Sequence, residues 1–459
     1  MSDFFRPVPQ FRPVLDPQFC PAVLARRAFA REATVPLGLA IEQADGTVIH
    51  HWTKVLHPAH SRASANDFFI ERLAKFLLWS VGGWRIWVEG SKEMAQTLGR
   101  HYRNTAVGRF DSEIVGERIY DHPITVVHTD RLPDAKVTVT PLGRHLGGCR
   151  IGFDLGGSDR KTAALIDGQV VFSEETTWDP YFQADPQYHV DGIMDSLRKA
   201  AAHLPRVDAI GGSAAGVYVN NRVKVASLFR GVSKELFETR VKDLFVEIRR
   251  EWKGIPLDVV NDGEVTALAA SMSLGINSVL GLSLGTSTAG GFVNADGNIT
   301  PWLNELAFAP IDYREDAPAD EWSGDLGCGV QYFSQQAVGR LLAPAGIEIA
   351  STVPLPEKLK HVQKLMGEGD PRALKIYQTI GVYLGYGLAH YADFYDLRHV
   401  LILGRVTSGE GGEVILDVAR EVIKTEFPEL AARLAFHIPD EKEKRHGQAI
   451  AAASLPSLS

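Results

Sequence analysis

The sequence predicts an α/β protein with two similar lobes and an additional α/β domain at the N-terminus. From about residue 150 onward, predicted strands and helices alternate, which is the pattern of helices packed against largely parallel sheets. Two glycine-rich hairpins, at residues 150–175 and 278–299, each open one half of this part. A separate strand–turn–strand–helix–strand pattern between residues 35 and 90 precedes them.

Composition places the chain among ordinary globular proteins. It has 459 residues, 45% of them hydrophobic and 23% charged, enough for two or three domains. The net charge of −8 offers no basic face for nucleic acid. Cys20, Cys149 and Cys328 are too few and too widely spaced for a disulfide framework or a zinc cluster, so we expect a reducing, cytoplasmic location.

No segment is typical of secretion or of a membrane span. The N-terminus lacks the apolar stretch of a secretion signal. The most apolar region, residues 265–293, contains Asn277, repeated glycines and hydroxyl side chains, so we interpret it as a buried helix followed by strands.

The N-terminal 149 residues are expected to form an α/β extension of unknown role. Prolines at positions 7, 9, 13, 17 and 21 favour an extended arm over residues 1–33. A hairpin turning at Asp45-Gly46 follows, then a helix capped near Asn66. This hairpin faintly resembles the one at residues 150–171, and both an internal duplication and chance similarity stay open.

The first glycine-rich hairpin contains the run "DLGGS". Gly156 and Gly157 allow close approach of the backbone to an anion, and Ser158 adds a hydroxyl. Asp154, at the end of an apolar strand, is suited to holding a hydrated Mg²⁺. The same run is also compatible with a plain structural turn.

The second hairpin repeats this chemistry. Its turn places small residues and hydroxyls together, namely Gly285, Thr286, Ser287 and Thr288. Backbone and hydroxyl groups of this kind can cradle phosphate, although a buried small-residue packing site is the alternative. The chain has neither a P-loop nor a well-placed dinucleotide-binding glycine motif that would explain these glycines.

Two further strand ends are candidates for chemistry. Asp262 follows an apolar strand and precedes a helix, where open α/β sheets place ligand-facing residues, and its carboxylate could accept a proton in phosphoryl transfer. Asn-Asp-Gly is also an ordinary turn and helix-cap sequence. Gly404 ends a late apolar strand, where a flat loop could lie against adenine or ribose, or simply turn into the next helix.

In this order and spacing, residues 150 to about 455 resemble the ROK family (repressors, open reading frames and kinases) of sugar kinases, within the sugar kinase, Hsp70 and actin superfamily. The matching pieces are "DLGGS", "GGSAAG", "NDGEVTALAA", "LGTSTAGGFV" and "LGRVTSG". The resemblance implies a two-lobed actin-like ATPase (ribonuclease H-like) fold that clamps ATP and Mg²⁺. It also implies a first lobe at 150–262, completed by a helix at 440–459, and a second lobe at 263–439.

The resemblance also implies roles for individual residues. Asp262 becomes the base that deprotonates a sugar hydroxyl, and Asp154 holds Mg²⁺ through water. The hairpins at 156–158 and 285–287 cradle phosphates, and Gly404 belongs to the adenosine loop. The residues expected to contact the sugar are Asn261, Glu305 and Gly216.

Several positions depart from the family pattern. Phe308 stands where the family has a zinc-binding His, and its cysteine cluster is reduced to Cys328, so no structural zinc is expected. Asp159 follows Ser158 where the family usually has Lys or Asn, with Arg160 and Lys161 displaced beyond it, and Leu228 stands near a usual Asn. The strand-rich N-terminal region does not match the winged helix-turn-helix of ROK repressors.

The sequence therefore predicts an ATP-dependent kinase of a sugar or sugar derivative. A non-catalytic sugar or nucleotide sensor of the same fold is the alternative. A metal hydrolase using His50, His51, His57 and His60 has no HExxH-type spacing to support it. We expect a small sugar as partner, no nucleic acid and no membrane, and we allow for a homodimer.

Overall fold

A computed structural model describes residues 7–137, 141–438 and 441–458, without the side chains of 441–446. The N-terminal region contains one sheet of strand order β2-β1-β3-β4, in which β1 is antiparallel to β2 and β3, and β3 is parallel to β4. A π-helical stretch separates its last helix and strand. The elements are α1 (Ala22–Glu32), β1 (Val35–Glu42), β2 (Val48–Val55), α2 (Ala65–Ser80), β3 (Arg85–Glu89), α3 (Lys92–Asn104), α4 (Ala106–Asp111), the π-helix Ser112–Ile119 and β4 (Thr125–Thr129).

Two local predictions for this region were wrong. The expected extended arm ends at Pro21, because the proline-free run after it forms α1 and buries Val23 and Phe29. Asn66 does not cap α2. Its side-chain amide instead accepts from the backbone N of Leu56 at 2.8 Å and donates to the Leu56 carbonyl at 2.9 Å, which holds the preceding loop.

The first lobe is a five-stranded sheet of order β11-β8-β5-β6-β7. Strands β5, β6 and β7 form an antiparallel meander, while β8 and β11 are parallel to β5. The helical segment at residues 234–251 is interrupted by a π-helical stretch. The elements are β5 (Cys149–Leu155), β6 (Asp159–Ile166), β7 (Gln169–Thr177), α5 (Gln187–Ala201), β8 (Ala209–Ala214), β9 (Val217–Val219), β10 (Arg222–Val225), α6 (Lys234–Leu236), the π-helix Phe237–Val241, α7 (Leu244–Glu251) and β11 (Leu257–Asn261).

The second lobe repeats this topology with one strand fewer among the described residues. Its sheet order is β13-β12-β14-β15, and only Ile299, bridged to Val293, continues the meander. The elements are α8 (Asp262–Leu274), β12 (Val279–Leu284), β13 (Thr288–Val293), α9 (Val330–Phe333), α10 (Gln335–Leu341), α11 (Leu355–Gly367), α12 (Pro371–Tyr391), β14 (His399–Leu403), α13 (Glu410–Glu426), α14 (Pro428–Ala431) and β15 (Ala435–His437). The predicted two-lobed actin-like ATPase fold with an additional N-terminal α/β region is confirmed.

The C-terminal helix α15 (Glu441–Ala453) packs on the sheet of the first lobe. Glycines permit this close approach. A Cβ on Gly152 would lie 1.8 Å from the carbonyl oxygen of Ala449, and one on Gly211 would lie 1.6 Å from that of Ala452. In the part of the chain that the structure describes, no helix combines the length and apolar character needed to cross a membrane.

The N-terminal region packs on the second lobe rather than standing apart. Trp79 of α2 contacts Phe308, with ring centroids 4.3 Å apart, and both lie in one hydrophobic core. The carbonyl oxygens of Trp79, Ser80 and Val81 accept hydrogen bonds from three successive backbone N–H groups of residues 303–305, at 2.9 to 3.1 Å. The end of α2 therefore holds the segment that carries Glu305.

Candidate active site

A cavity of about 790 Å³ brings the two lobes and the C-terminal helix together. Asp262 and Thr266 of α8 line it, with Lys161 of β6 on the first-lobe side. The second lobe contributes the ends of β12 and β14, including Ser283 and Gly404. Two of the predicted site residues, Asp262 and Gly404, therefore border one cleft.

Asp154 is buried at the end of β5 beside this cleft. The hydroxyl of Ser213 on the neighbouring strand β8 donates to its Oδ1 at 2.6 Å, and Nζ of Lys161 lies 3.7 Å from its Oδ2. Burial raises the pKa of Asp154, and the Ser213 hydrogen bond and the Lys161 charge oppose that rise. Each carboxylate oxygen thus has one positive or hydrogen-bonding neighbour.

The turn after Asp154 is held by its own backbone and by an aromatic residue. The N–H of Gly156 donates to the carbonyl of Asp159 at 2.9 Å, and Nε1 of Trp178 donates to the carbonyl of Gly156 at 2.8 Å. A Cβ added to Gly157 would lie 2.0 Å from the hydroxyl oxygen of Tyr181. Tyr181 therefore lies directly against the turn, which sequence reasoning did not anticipate.

Asp159 does not leave an isolated negative charge at this hairpin. Its Oδ2 accepts from the hydroxyl of Ser158 at 2.9 Å, and its Oδ1 lies 3.1 Å from Nζ of Lys161. Although burial opposes the charged form of Lys161, Asp154 and Asp159 raise the pKa of its ammonium group. Asp159 and Lys161 are two residues apart in β6, and side chains at that spacing lie on the same face of a strand. The sequence could therefore have indicated that these two side chains pair.

The second hairpin lies beside the loop that ends β14. The N–H of Gly285 donates to the carbonyl of Ser287 at 2.9 Å, and Thr286 and Ser287 are exposed at the turn. Gly404 has φ of 100°, and a Cβ there would lie 2.4 Å from the carbonyl oxygen of Leu284. A side chain at position 404 would collide with this carbonyl oxygen. Only glycine therefore allows the predicted adenosine loop to pack against the start of the second hairpin.

Asp262 is the first residue of α8 and is half-buried. The Asn261 side chain caps the helix by accepting from the N–H of Gly263 at 2.7 Å, and its amide donates to the carbonyl of Gly216 at 2.7 Å. Burial, followed by repulsion from Asp154, raises the pKa of Asp262 to about 6. At neutral pH the group is mostly a carboxylate with enhanced basicity.

Two further carboxyl groups surround Asp262. Burial and the charge of Asp262 raise the pKa of Glu305 to about 7. Burial raises the pKa of Glu264 to about 8, and the Asn304 amide donates to its Oε1 at 3.4 Å. The hydroxyl of Tyr395 in turn donates to Oδ1 of Asn304 at 3.0 Å. Sequence reasoning found Glu305 and missed Glu264, whose position in the first turn of α8 was the available signal.

Two of the positions that depart from the family pattern, Phe308 and Cys328, are buried and packed against neighbouring side chains. Phe308 lies in an aromatic cluster with Trp79 and Trp322, the latter at a centroid distance of 5.5 Å. Cys328 is buried, and its thiol donates to the carbonyl of Asp325 at 3.8 Å. Nζ of Lys75 lies 3.0 Å from the Asp325 carboxylate. Among the described residues, no group of three or more His, Cys, Asp or Glu side chains is arranged to hold a metal ion.

The histidines of the N-terminal region serve separate local contacts. Nε2 of His50 lies 2.6 Å from the carbonyl oxygen of Pro133, and the ring of His51 stacks on Phe394. His57 accepts from a backbone N–H two residues ahead, as His60 does.

Leu228, which stands near the place of a usual Asn in the family, is buried, and its carbonyl oxygen lies 2.9 Å from Nε2 of His189.

No protein-family model matches the chain, and no curated protein is significantly similar in sequence. Solved structures do match. A ROK hexokinase from Thermus thermophilus is 18% identical, with a TM-score of 0.49 over 66% of this chain and 96% of that one. A ROK glucokinase from Streptomyces griseus, in complex with glucose and AMPPNP, is 22% identical, with a TM-score of 0.45 over 67% and 98%.

A ROK-family transcriptional regulator, described as a homolog of the E. coli MLC protein, is 19% identical, with a TM-score of 0.49 over 68% of this chain and 79% of that one. The predicted resemblance to ROK proteins is confirmed. At these identities the likeness concerns the fold, and ROK kinases and ROK regulators share it. About one third of the chain lies outside each match.

Proposed function

We propose that the chain is an ATP-dependent phosphotransferase that phosphorylates a hydroxyl of a sugar or sugar derivative. One observation carries this proposal. Asp262 opens on the cleft between the lobes from the first position of α8, and its pKa of about 6 suits a base that works at neutral pH.

The cleft fits a nucleotide in size and surface. A cavity of about 790 Å³ is within the range of small-molecule sites. Small and apolar groups line it, including Ala270, Leu403 and Gly404, and would pack against a base and ribose. The N–H groups of Gly156 and Gly285 bond within their own turns, so the other backbone N–H groups of these turns and the exposed hydroxyls at residues 286–287 would bind the phosphates.

Asp154 fits a hydrated Mg²⁺ held through water. It supplies one carboxylate whose oxygens already have Ser213 and Lys161 as neighbours, and Mg²⁺ in nucleotide sites commonly keeps several waters. When bound, the ion would neutralise phosphate charge. Lys161 would add a fixed positive charge from the protein at the same end of the cleft.

The acceptor would lie between Asp262 and Glu305. Asp262 accepts the proton of the attacking hydroxyl, while Glu305, with a pKa of about 7, can donate or accept a hydrogen bond to a second hydroxyl. The Asn261 side chain hydrogen-bonds both the carbonyl of Gly216 and the first turn of α8, and so holds these two segments together. Closure of the lobes would exclude water and so prevent hydrolysis of ATP.

We further propose a cytoplasmic location and a small sugar as the substrate partner. Cys20, Cys149 and Cys328 are all buried, and no disulfide joins them in the described part of the chain, which is compatible with a reducing compartment. The net charge of −8 gives no electrostatic basis for binding nucleic acid.

The direct test incubates the purified chain with Mg-ATP and a panel of monosaccharides and amino sugars. We expect ADP and one phosphorylated sugar, detected by mass spectrometry, and loss of both in Asp262→Asn. Asp296→Asn, in the exposed β13 turn, is the matched control. Absence of any phosphorylated product, together with no effect of Asp262→Asn on ADP release, would overturn the proposal.

A non-catalytic nucleotide or sugar sensor is the second candidate. Tyr181 favours it, because its hydroxyl lies against Gly157, at the turn that phosphates would have to approach. The Arg230 guanidinium stacks over the Tyr181 ring at 4.2 Å and holds it there. Calorimetric binding of ATP with no phosphorylated product from any sugar in the panel would select the sensor.

A further inference from the structure

A second cavity, of about 630 Å³, lies where the N-terminal region meets both lobes. The β1–β2 turn and Tyr120 border it on one side, and the edge strand β11 borders it on another. Glu264 of α8 and residues 299–302 complete the wall. It shares no lining residue with the cleft that contains Asp262, so it is a separate space.

Polar side chains hold the walls of this cavity in place. The amide of Asn221 closes the free edge of β11, donating to the carbonyl of Leu257 at 2.7 Å and accepting from the N–H of Val259 at 2.8 Å. The amide of Gln43 donates to the carbonyls of Val81 at 2.9 Å and Pro301 at 2.8 Å. The cavity is therefore bounded by groups with fixed positions.

The remaining lining groups could bind a ligand with several hydroxyls. Asp258 and Glu264 offer carboxyl oxygens, and the Thr300 hydroxyl is buried without a hydrogen-bond partner among the described residues. Trp302 supplies an aromatic surface. Burial raises the pKa of Asp258, as it does that of Glu264, so both carboxyls favour the protonated form more than an exposed carboxyl does.

We propose that this cavity is a second ligand site, that it takes an uncharged polyhydroxylated compound, and that its occupancy regulates the cleft. Hydroxyls both donate and accept, which matches a lining that offers both carboxyl groups and the Thr300 hydroxyl, while the apolar face of such a compound packs on Trp302. The binding half of the proposal is independent of phosphoryl transfer. The regulatory half rests on the proposed function, because it needs a nucleotide in the cleft.

The link to the cleft is short. Glu264 follows Asp262 by two residues in the first turn of α8. Its Oε1 accepts from the amide of Asn304, which immediately precedes Glu305. A ligand that hydrogen-bonds Glu264 competes with Asn304 for this carboxyl group and so changes the support of both acidic residues in the acceptor site.

Isothermal titration calorimetry on the full chain tests the site with D-glucose, D-mannitol and myo-inositol as probes. Ala44→Trp introduces a large side chain into the lining from an exposed turn, and Ala432→Trp, on an exposed turn after α14, is its control. We expect one of the probes to bind the unmodified chain and to bind Ala44→Trp at least tenfold more weakly. Binding is expected to persist in Ala432→Trp and in Asp262→Asn.

Thr300→Val offers a second variant that removes only the hydroxyl. We expect a severalfold weaker affinity for the same probe. The site is refuted if no probe binds the unmodified chain, if Ala44→Trp and Thr300→Val both bind it normally, or if binding is lost in Asp262→Asn alone, which would place the probe in the cleft.

Titration of ATP with and without the bound probe tests regulation. We expect the probe to change the Kd for ATP severalfold in the unmodified chain and to leave it unchanged in Ala44→Trp. An unchanged Kd in both would refute regulation. A chain that binds the probe at this cavity but never binds ATP would refute the proposed kinase activity while leaving the second site supported.

Discussion

Lys161 and Asp154 face each other across the first hairpin, in register between β5 and β6, with Nζ of the lysine 3.7 Å from Oδ2 of the aspartate. A second carboxylate, Asp159, lies 3.1 Å from the same ammonium group. This places one positive charge beside the carboxylate that we propose holds Mg²⁺, at the point where phosphate charge would collect.

Removing that charge is expected to slow phosphoryl transfer. Lys161→Met should lower kcat by roughly 10²-fold, since the loss of one preorganised group that stabilises developing charge typically has this size. Lys161→Arg should retain much of the rate because it keeps the charge. Steady-state kinetics with the exposed Lys360→Met as control checks this, and equal rates for the Met and Arg variants would contradict the assignment.

The pH dependence of the reaction should report Asp262. Because burial raises its pKa to about 6, the base is protonated and inactive below that value and ionised above it. We expect kcat/KM to rise about tenfold per pH unit below pH 6 and to level off above it. Asp262→Asn should lower kcat by roughly 10²- to 10⁴-fold while leaving the Kd for ATP within a fewfold.

The packing of Tyr181 on Gly157 predicts a specific rescue. Gly157→Ala should weaken ATP binding at least tenfold, because the new methyl group would meet the Tyr181 hydroxyl at 2.0 Å and shift the turn. Adding Tyr181→Ala should restore most of the affinity. Gly367→Ala, where nothing lies within 4 Å, is the control, and calorimetry gives the affinities. A double variant no better than Gly157→Ala would show that the clash is not the cause.

Glu264 should make stability fall as pH rises. Its pKa is about 8 in the folded chain against an ordinary 4.5, so the folded state binds the extra proton between these values. Stability is then lost as the pH increases through this window, at up to about 1.4 kcal/mol per pH unit. Denaturant unfolding at pH 5, 6.5 and 8 should show this slope, and Glu264→Gln should reduce it. Glu321→Gln, at an exposed site, should leave the slope unchanged.

The positions of several candidate residues at strand ends and turns were predictable because they depend on short segments of sequence. Strand ends followed by glycines identify Asp154, Gly285 and Gly404 from a few neighbouring letters, and Asp262 precedes a helix in the same way. The contacts that these residues make were not predictable to the same degree. The pairing of Lys161 with Asp154 depends on strand register, which glycine patterns do not encode.

Contacts across long stretches of chain were out of reach for a different reason. Tyr181 reaches Gly157 through a loop of irregular structure, and the end of α2 meets residues 303–305 across more than 200 positions. Nothing in either segment alone indicates the other. The extended arm predicted from the prolines was wrong at α1 because the prediction continued beyond the last proline, Pro21. The residues directly after it contain no proline and form a helix from Ala22 onward.

The hydrogen bonds from residues 303–305 to the end of α2 have a consequence for how such a chain can change over evolutionary time. The N-terminal region supplies three backbone acceptors to the segment bearing Glu305, and Trp79 fills the space beside Phe308. Losing the first 149 residues would leave that aromatic surface bare and the acidic residue unsupported. The extension and the second lobe are therefore expected to be inherited together, as one unit of selection.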